Sequence, residues 1–340
     1  MSATQLITGI GGQDGAYLAA QLLARGDTVV GTRRPGSEDA SLWRLRELGI
    51  SAHAQLHIVE ADLADLHACR DLLETHRPAS VFHLAAQSRV AASLRDPYGS
   101  ARANAVSTLQ LLEAVRAVSP HSRFVFASSA ELFGNTTARP QNEHTPFAPA
   151  NPYAISKYFA HAMTQAYRNA HGLHASCAIL FNHESPLRDA DFVTRKIAAA
   201  AARCAQGDAA PLALGNLDAQ RDFGYAPEYV AALIAMAAQA QGDDFVLASG
   251  VATSIREFAT LAYAAAGCTL NWQGSGAAER AADGEGRTRI VVDAALFRPL
   301  DAPVLVGDAR KAQAQLRFAP RTDVAALAKL MVDAERDRLR

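Results

Sequence analysis

Over roughly its first 180 residues the chain alternates short apolar runs with longer stretches of helical period, and this alternation restricts the fold more than any other feature. The runs Leu6–Thr8, Thr28–Thr32, Leu56–Val59, Ser80–Leu84, Arg123–Ala127 and Ala175–Ile179 read as strands. Between them, Gly15–Arg25, Leu66–Thr75, Ala101–Val118 and Tyr153–His171 repeat apolar residues at three or four and read as helices. Strand, helix, strand in steady succession predicts an α/β fold, a Rossmann-type doubly wound parallel sheet. After Phe181 the pattern loosens into a helix over Phe192–Gln206, a polar segment over Gly215–Asp222, and a Gly- and Ala-rich loop near Gly274–Gly286. Further elements are expected at Phe245–Leu247, Ser254–Ala266, Ile290–Val292 and Val324–Glu335. The expected organisation is a dinucleotide-binding domain over 1–180 with returns near 222–252 and 288–310, the rest of 181–340 forming a smaller α/β substrate-binding lobe.

A chain of 340 residues with 49% hydrophobic residues can fill the cores of two such lobes. Its formal net charge of -1 provides no basic field, which argues against a nucleic-acid polymer as partner. Cys69, Cys177, Cys204 and Cys268 are scattered without a C-x-x-C pair or a companion histidine spacing, so no metal is expected. No apolar run approaches membrane-spanning length, and no charged and apolar leader precedes the first strand at about Gln5, so a cytoplasmic protein without a membrane partner is expected.

Gly9-Ile10-Gly11-Gly12-Gln13-Asp14-Gly15 follows a strand and opens a helix, so the backbone of Gly9, Gly12, Gln13, Asp14 and Gly15 is aimed at a cofactor's pyrophosphate, the glycines letting it approach closely. At the end of the second strand, where an acidic residue would grip a ribose 2′-hydroxyl, stand Arg33 and Arg34, which favour a 2′-phosphate and hence NADP. Asp62 and Leu63 after the third strand, and Ala85, Ala86 and Gln87 after the fourth, stand where the adenine and the nicotinamide ribose would lie.

Tyr153 and Lys157 lie one helical turn apart on one face, where the ammonium favours the phenolate that would take a proton from a sugar hydroxyl. The strand Arg123–Ala127 ends in Ser128-Ser129-Ala130-Glu131, which delivers hydroxyls and a carboxylate to the same edge. Glu131 has two readings. Next to a carbon-4 ketone it would remove the carbon-5 proton and return one to a departing 6-hydroxyl; alternatively it caps the following turn.

Several longer runs share one resemblance: Ile7-Thr8-Gly9-Ile10 leading into Gly12-Gln13-Asp14-Gly15, and Leu180-Phe181-Asn182-His183-Glu184-Ser185-Pro186. With them go Phe192-Val193-Thr194-Arg195-Lys196, Gly215-Asn216-Leu217-Asp218-Ala219, Arg221-Asp222 and Phe297-Arg298-Pro299. Together they resemble the GDP-mannose 4,6-dehydratase family. The resemblance implies an NADP-dependent hydro-lyase that oxidises carbon 4 of a GDP-sugar, eliminates water across carbons 5 and 6, and returns the hydride to carbon 6. Tyr153 would be the base, Lys157 its tuner and a ribose contact, Ser129 the polariser of the 4-oxygen in place of the family's usual threonine, and Glu131 the acid–base at carbons 5 and 6. Asn182, Lys196, Arg221 and Arg298 would surround the diphosphate, with Ser88, Glu184, Val193, Leu217 and Asp301 completing the substrate site.

The chain departs from the family pattern at Arg89, at Ala130 and Asn151 where serine is usual, and at Asp301 where glutamate is. These departures leave GDP-manno-heptose open beside GDP-mannose. A 4-keto reductase or 4-epimerase of this fold would need Tyr153 and Lys157 without Glu131, and a catalytically silent NADP-binding regulator would be expected to lose the tyrosine, the lysine or the strand-end hydroxyl, all of which are present. The resemblance also implies a homodimer or homotetramer, formed through the long helices Ala101–Val118 and Tyr153–His171, with the Arg33 loop as a second contact.

Overall fold

The structure, a computed structural model, describes residues 2–208, 210–297 and 304–340. Met1–Leu180, Ala226–Leu247 and Asp308–Ala319 form one compact unit. Its strands up to residue 180 are β1 (Thr4–Thr8), β2 (Thr28–Arg33), β3 (Leu56–Glu60), β4 (Ser80–His83), β5 (Arg123–Ala127) and β6 (Ala175–Leu180). Its helices in that stretch are α1 (Gln13–Ala24), α2 (Trp43–Glu47), α3 (Leu66–His76), α4 (Val90–Arg95), α5 (Pro97–Ala101), α6 (Ser107–Val118) and α7 (Pro152–His171).

The seven strands run parallel in the order Asp244–Leu247, β6, β5, β4, β1, β2, β3. Strand order reverses between β1 and β4, and it is outside the carboxyl ends of such a pair that open parallel sheets bind ligands. Every residue of β4 and β6 is buried, which is why both read as unbroken rather than alternating patterns. The core joins Leu6, Val30, Val81, Phe124 and Phe126 of the sheet to Leu72, Leu111, Leu112 and Val115 of the helices. Each such side chain contributes about 1.5–3 kcal/mol on burial.

Local signals set the helix that matters most. Asn151 caps α7 through its side chain, Pro152 occupies the first turn, and Gly172 in the left-handed region (φ 66°) ends it. The stretch predicted as one helix from Ala101 to Val118 is interrupted: Arg102–Val106 forms a π turn between α5 and α6, which rotates the side chains of that segment relative to a regular helix.

Phe181–Tyr225, Ala248–Gly307 and Pro320–Arg340 form the second unit. One of its sheets has the order Ala252–Ser254, Gln220–Tyr225, Val304–Leu305, with Asn182–Glu184 also pairing with Gln220–Tyr225. The other has the order Asn271–Gln273, Arg280–Ala282, Thr288–Val292, Leu212–Leu214. Helices Val193–Ala205, Ile255–Ala265 and Val324–Arg338 cover them, burying Ile197, Phe258, Tyr263, Leu327 and Met331. The expected return of 288–310 to the first unit is corrected here: Thr288–Val292 pairs with Leu212–Leu214 and Arg280–Ala282, because its apolar residues complete the second unit's core. The segments after residue 180 in the first unit are 226–247 and 308–319. Among the described residues no helix is long and apolar enough to cross a membrane.

Candidate active site

The turn after β1 is built for backbone contact. Gly9 has φ 74°, and a Cβ there would lie 2.8 Å from the Cα of Ala85, so both conformation and space demand glycine. At Gly15 a Cβ would lie 2.5 Å from the Gly9 carbonyl oxygen, which brings α1 directly against the turn. Gly12 is the N-cap of α1 and makes no side-chain cap bond, and a helix start of this kind is suited to an anion. Gln13 is buried and donates to Asp14 at 3.1 Å. Arg44, which sequence reasoning missed, is buried and donates to the Gly11 carbonyl at 2.8 Å.

Of the two arginines after β2, Arg33 is already paired with Asp39 and, at 3.1 Å, with Glu60. Arg34 is exposed. Asp62 accepts from the Ala64 N–H at 3.0 Å and from Arg102 at 2.6 Å, and these two donors hold its carboxyl below the ordinary range. Leu63 packs into the core, which leaves only its main chain for a ligand. Ala86 is exposed, while Ala85 and Gln87 are half-buried beside it.

Below this edge runs a buried chain of hydrogen bonds. Thr8 Oγ1 accepts from the N–H groups of Leu84 and Ala85, each at 3.1 Å, so its own proton goes to His83 Nδ1 at 2.8 Å. His83 Nε2 must then carry hydrogen and donate to Thr108 Oγ1 at 3.0 Å, and Thr108 donates in turn to the Asn104 carbonyl at 2.6 Å. Asn104, buried in the π turn, brackets Gln87: its Oδ1 accepts from the Gln87 N–H at 2.8 Å and its Nδ2 donates to the Gln87 carbonyl at 3.1 Å. The same Nδ2 donates to Ser156 Oγ at 3.0 Å, and Ser156 donates to the Tyr153 carbonyl at 2.7 Å. Asn104 carried no sequence signal beyond being one polar residue in a helical pattern.

Tyr153 and Lys157 are buried on α7. Lys157 Nζ donates to the carbonyl of Ala127, the last residue of β5, at 2.6 Å and sits 4.6 Å over the Phe126 ring. Burial lowers its pKa to about 7 against the opposing pull of Asp14. Ser129 Oγ accepts from the Glu131 N–H at 3.2 Å, capping the short turn Ala130–Phe133. Glu131 is therefore capped rather than capping, and its carboxylate accepts from Asn151 Nδ2 at 3.3 Å, two residues before Tyr153. Ser129, Glu131, Tyr153 and Lys157 thus belong to two segments that meet at the end of β5.

Ser88 is exposed in the first unit. In the second unit Asn182 is half-buried, and Glu184 is buried, accepting from Thr194 at 2.6 Å and pairing with Arg188 at 3.0 Å. Its carboxylate serves the packing of its own unit. Val193 opens its helix and Lys196 is exposed one turn on. Leu217 is a core side chain whose carbonyl accepts from the Arg256 N–H at 3.1 Å. Arg221 is buried, and its neighbour Asp222 accepts from Ser249 N–H and Oγ at 2.7 Å each, from Gly250 at 2.8 Å and from Gly307 at 3.2 Å. Arg298 and Asp301 lie outside the described residues.

His161, Cys177 and Asp244 have ligand-type atoms within 4.8 Å of one another. Asp244 is already held by Arg168 at 2.8 Å and Gln165 at 2.6 Å, and burial pushes the Cys177 thiol well up, so the guanidinium takes the place a cation would hold.

Residues 6–331 match the family described as GDP-mannose 4,6 dehydratase. The GDP-mannose 4,6-dehydratase of Sinorhizobium fredii (strain HH103) is 42% identical over 341 residues, covering 98% of this chain and 97% of that one. That of Vibrio cholerae is 38% identical, covering 98% and 93%. Among solved structures, the UDP-glucose 4-epimerase of Thermotoga maritima with UDP-glucose superposes with TM-score 0.83 at 22% identity, covering 99% and 100%. RMD from Pseudomonas aeruginosa complexed with NADPH gives 0.77 at 23% identity, covering 99% and 100%. Both structures share the fold.

His83 is neutral in the fold: burial, with Lys157 adding to it, lowers its pKa from 6.5 to about 3. As pH falls from 6.5 toward 3 the unfolded chain gains a proton there that the folded chain does not, so stability is lost, by at most about 1.4 kcal/mol per pH unit. Urea unfolding at pH 7.5 and 5.0 is expected to show a steeper loss in the parent than in His83→Gln; equal slopes would contradict the assignment.

Proposed function

Because the chain belongs to the GDP-mannose 4,6-dehydratase family, we propose that it converts GDP-mannose to GDP-4-keto-6-deoxymannose as a hydro-lyase with a recycled NADP cofactor. The observation that carries this reading is the place of Glu131, a carboxylate in the turn after β5 beside the start of the Tyr153 helix. A keto reductase or epimerase has no use for a carboxylate there; elimination needs one.

When bound, the nicotinamide supplies the chemistry of hydride acceptance from carbon 4 and its return to carbon 6. The rest is proton handling by the chain. Tyr153 takes the 4-hydroxyl proton, favoured by the Lys157 ammonium one turn away. Lys157 is held by the Ala127 carbonyl, so its position depends on β5 rather than on a ligand. Ser129 accepts from the Glu131 N–H, which leaves its own O–H to donate to the 4-oxygen. Glu131 removes the carbon-5 proton that the 4-ketone has acidified and delivers a proton to the 6-oxygen as it leaves as water. The elimination balances with one proton leaving carbon 5, one reaching the departing hydroxyl and a double bond forming between carbons 5 and 6; the proton that Tyr153 took from the 4-hydroxyl is then returned to carbon 5 when hydride reaches carbon 6. Asn182, Lys196 and Arg221 supply amide and cationic donors for the diphosphate.

The glycine turn, the Gly12 start of α1 and the Asn104-held Gln87 fit a dinucleotide across β1 and β4. Since Arg33 is engaged by two carboxylates, the 2′-phosphate falls mainly to the exposed Arg34. A homo-oligomer through α5–α7 is supported by exposed Tyr98, Val106, Ile155 and Phe159 on that helical layer.

With GDP-mannose and NADP, mass spectrometry is expected to show loss of one water, and Glu131→Gln to abolish that loss by roughly 10²-fold or more; a fully active variant refutes the role. Arg34→Ala is expected to weaken NADP binding about 10–100-fold while sparing NAD, as befits losing a charge-assisted hydrogen bond; equal weakening of both would remove the 2′-phosphate contact. Light scattering is expected to give at least a dimer mass, and a monomer would dismiss the interface.

A further inference from the structure

The structure gives both halves of the Asn151 amide a partner. Oδ1 accepts from the Ala154 N–H at 2.9 Å, closing the first turn of α7. A backbone N–H can only donate, so this bond fixes which end of the amide is which. Nδ2 is thereby directed at Glu131 Oε2, 3.3 Å away, and the residue is 3% exposed.

The approach of the two segments is itself over-determined. The Ala148 N–H donates to the Leu132 carbonyl at 2.9 Å, and the Phe133 and Phe147 rings pack with centroids 5.2 Å apart. Gly134, at φ 52°, lies so close to the Ala148 carbonyl that a Cβ there would be 1.8 Å from its oxygen. These contacts bring the strap ahead of α7 against the turn that carries Glu131, and the amide joins them at the end nearest the chemistry.

We infer that Asn151 is a positioning residue, one amide that caps the helix of Tyr153 and Lys157 and at the same time holds the Glu131 carboxylate in the orientation needed for carbon-5 proton removal. The inference rests on the dehydratase reading for its chemical purpose, though not for its geometry. An N–H donor stabilises the ionised carboxylate, the form that acts as base. A serine hydroxyl ends one bond short of the amide nitrogen, so it can cap the helix without the same reach to Glu131. The other titratable groups on the first turns of the packed helix are Tyr153, Lys157, Tyr158 and His161, all unchanged by substitution at 151.

Asn151→Asp keeps the cap, since aspartate is an equally good N-cap, and sets a carboxylate against Glu131 in place of the donor. Asn151→Ser keeps a cap and stays neutral, and serves if the aspartate variant does not fold. Thermal unfolding establishes that each variant is folded. Infrared difference titration of the carboxyl band against Glu131→Gln then reads the ionisation of Glu131 directly, with no need of turnover. The expected result for Asn151→Asp is a Glu131 pKa raised by about one unit or more, the acid limb of the kcat profile displaced upward with it, and kcat about tenfold lower at nearly constant KM. An unmoved carboxyl titration and a parental kcat in a folded variant overturn the inference and leave Asn151 a helix cap alone. If the titration moves but the unsubstituted protein does not dehydrate GDP-mannose, the dehydratase reading falls while the positioning of Glu131 stands.

Discussion

The hydrogen-bonded chain from Thr8 through His83 and Thr108 to Asn104 sets the carboxyl edge of the sheet, because each of its members is buried and each bond fixes the direction of the next. Its start takes two N–H groups from the residues just past β4; its end is the carbonyl of an asparagine whose side chain grips Gln87 and, through Ser156, the first turn of α7. A buried polar group without partners costs about 1–3 kcal/mol, so any shift of α7 relative to β4 exposes several such costs at once. The turn after β1 and the Tyr153 helix are thus coupled by satisfied polar groups in addition to the apolar core that α7 shares with the sheet through Ala160 and Tyr167. The π turn is part of this device, since Arg102–Val106 presents both the carbonyl and the side chain of Asn104 inward.

Burial also sets the electrostatics of Lys157. Lys157 is buried, and the loss of water around its ammonium lowers its pKa to about 7 even though the Ala127 carbonyl and the Phe126 ring both favour the charged form. An ammonium in that state exchanges protons near neutrality, which suits a neighbour of a phenol that must give and take one. In the second unit Asp222 plays the organising part: it gathers Ser249, Gly250 and Gly307 and so fixes the strand on which Arg221 stands.

Much of the site could be read along the chain because its residues are local constellations. Gly9, Gly12 and Gly15 answer to one strand-to-helix turn; Tyr153 and Lys157 answer to one helical turn; Ser129 and Glu131 answer to the end of one strand. The residues that escaped reading work through partners far away in sequence. His83 needs Thr8 and Thr108, and Asn104 needs Gln87 and Ser156, and no spacing announces either set. Arg33 illustrates the reverse: its position was legible, but not that Asp39 and Glu60 already engage it. Glu184 and Leu217, singled out by motif, turn out to hold a buried ion pair and a core position.

The sequence by itself determined the element order, the parallel sheet and which polar groups stand at the ends of its strands and on the first turn of α7, since period, turn chemistry and short-range spacing are properties of the chain. Tertiary structure alone decided how those groups are aimed. Whether Asn151 reaches Glu131, whether Lys157 is dry, and which nitrogen of His83 bears hydrogen all depend on segments that are remote in sequence and meet only when the sheet forms, and distance in space is not encoded in spacing along a chain.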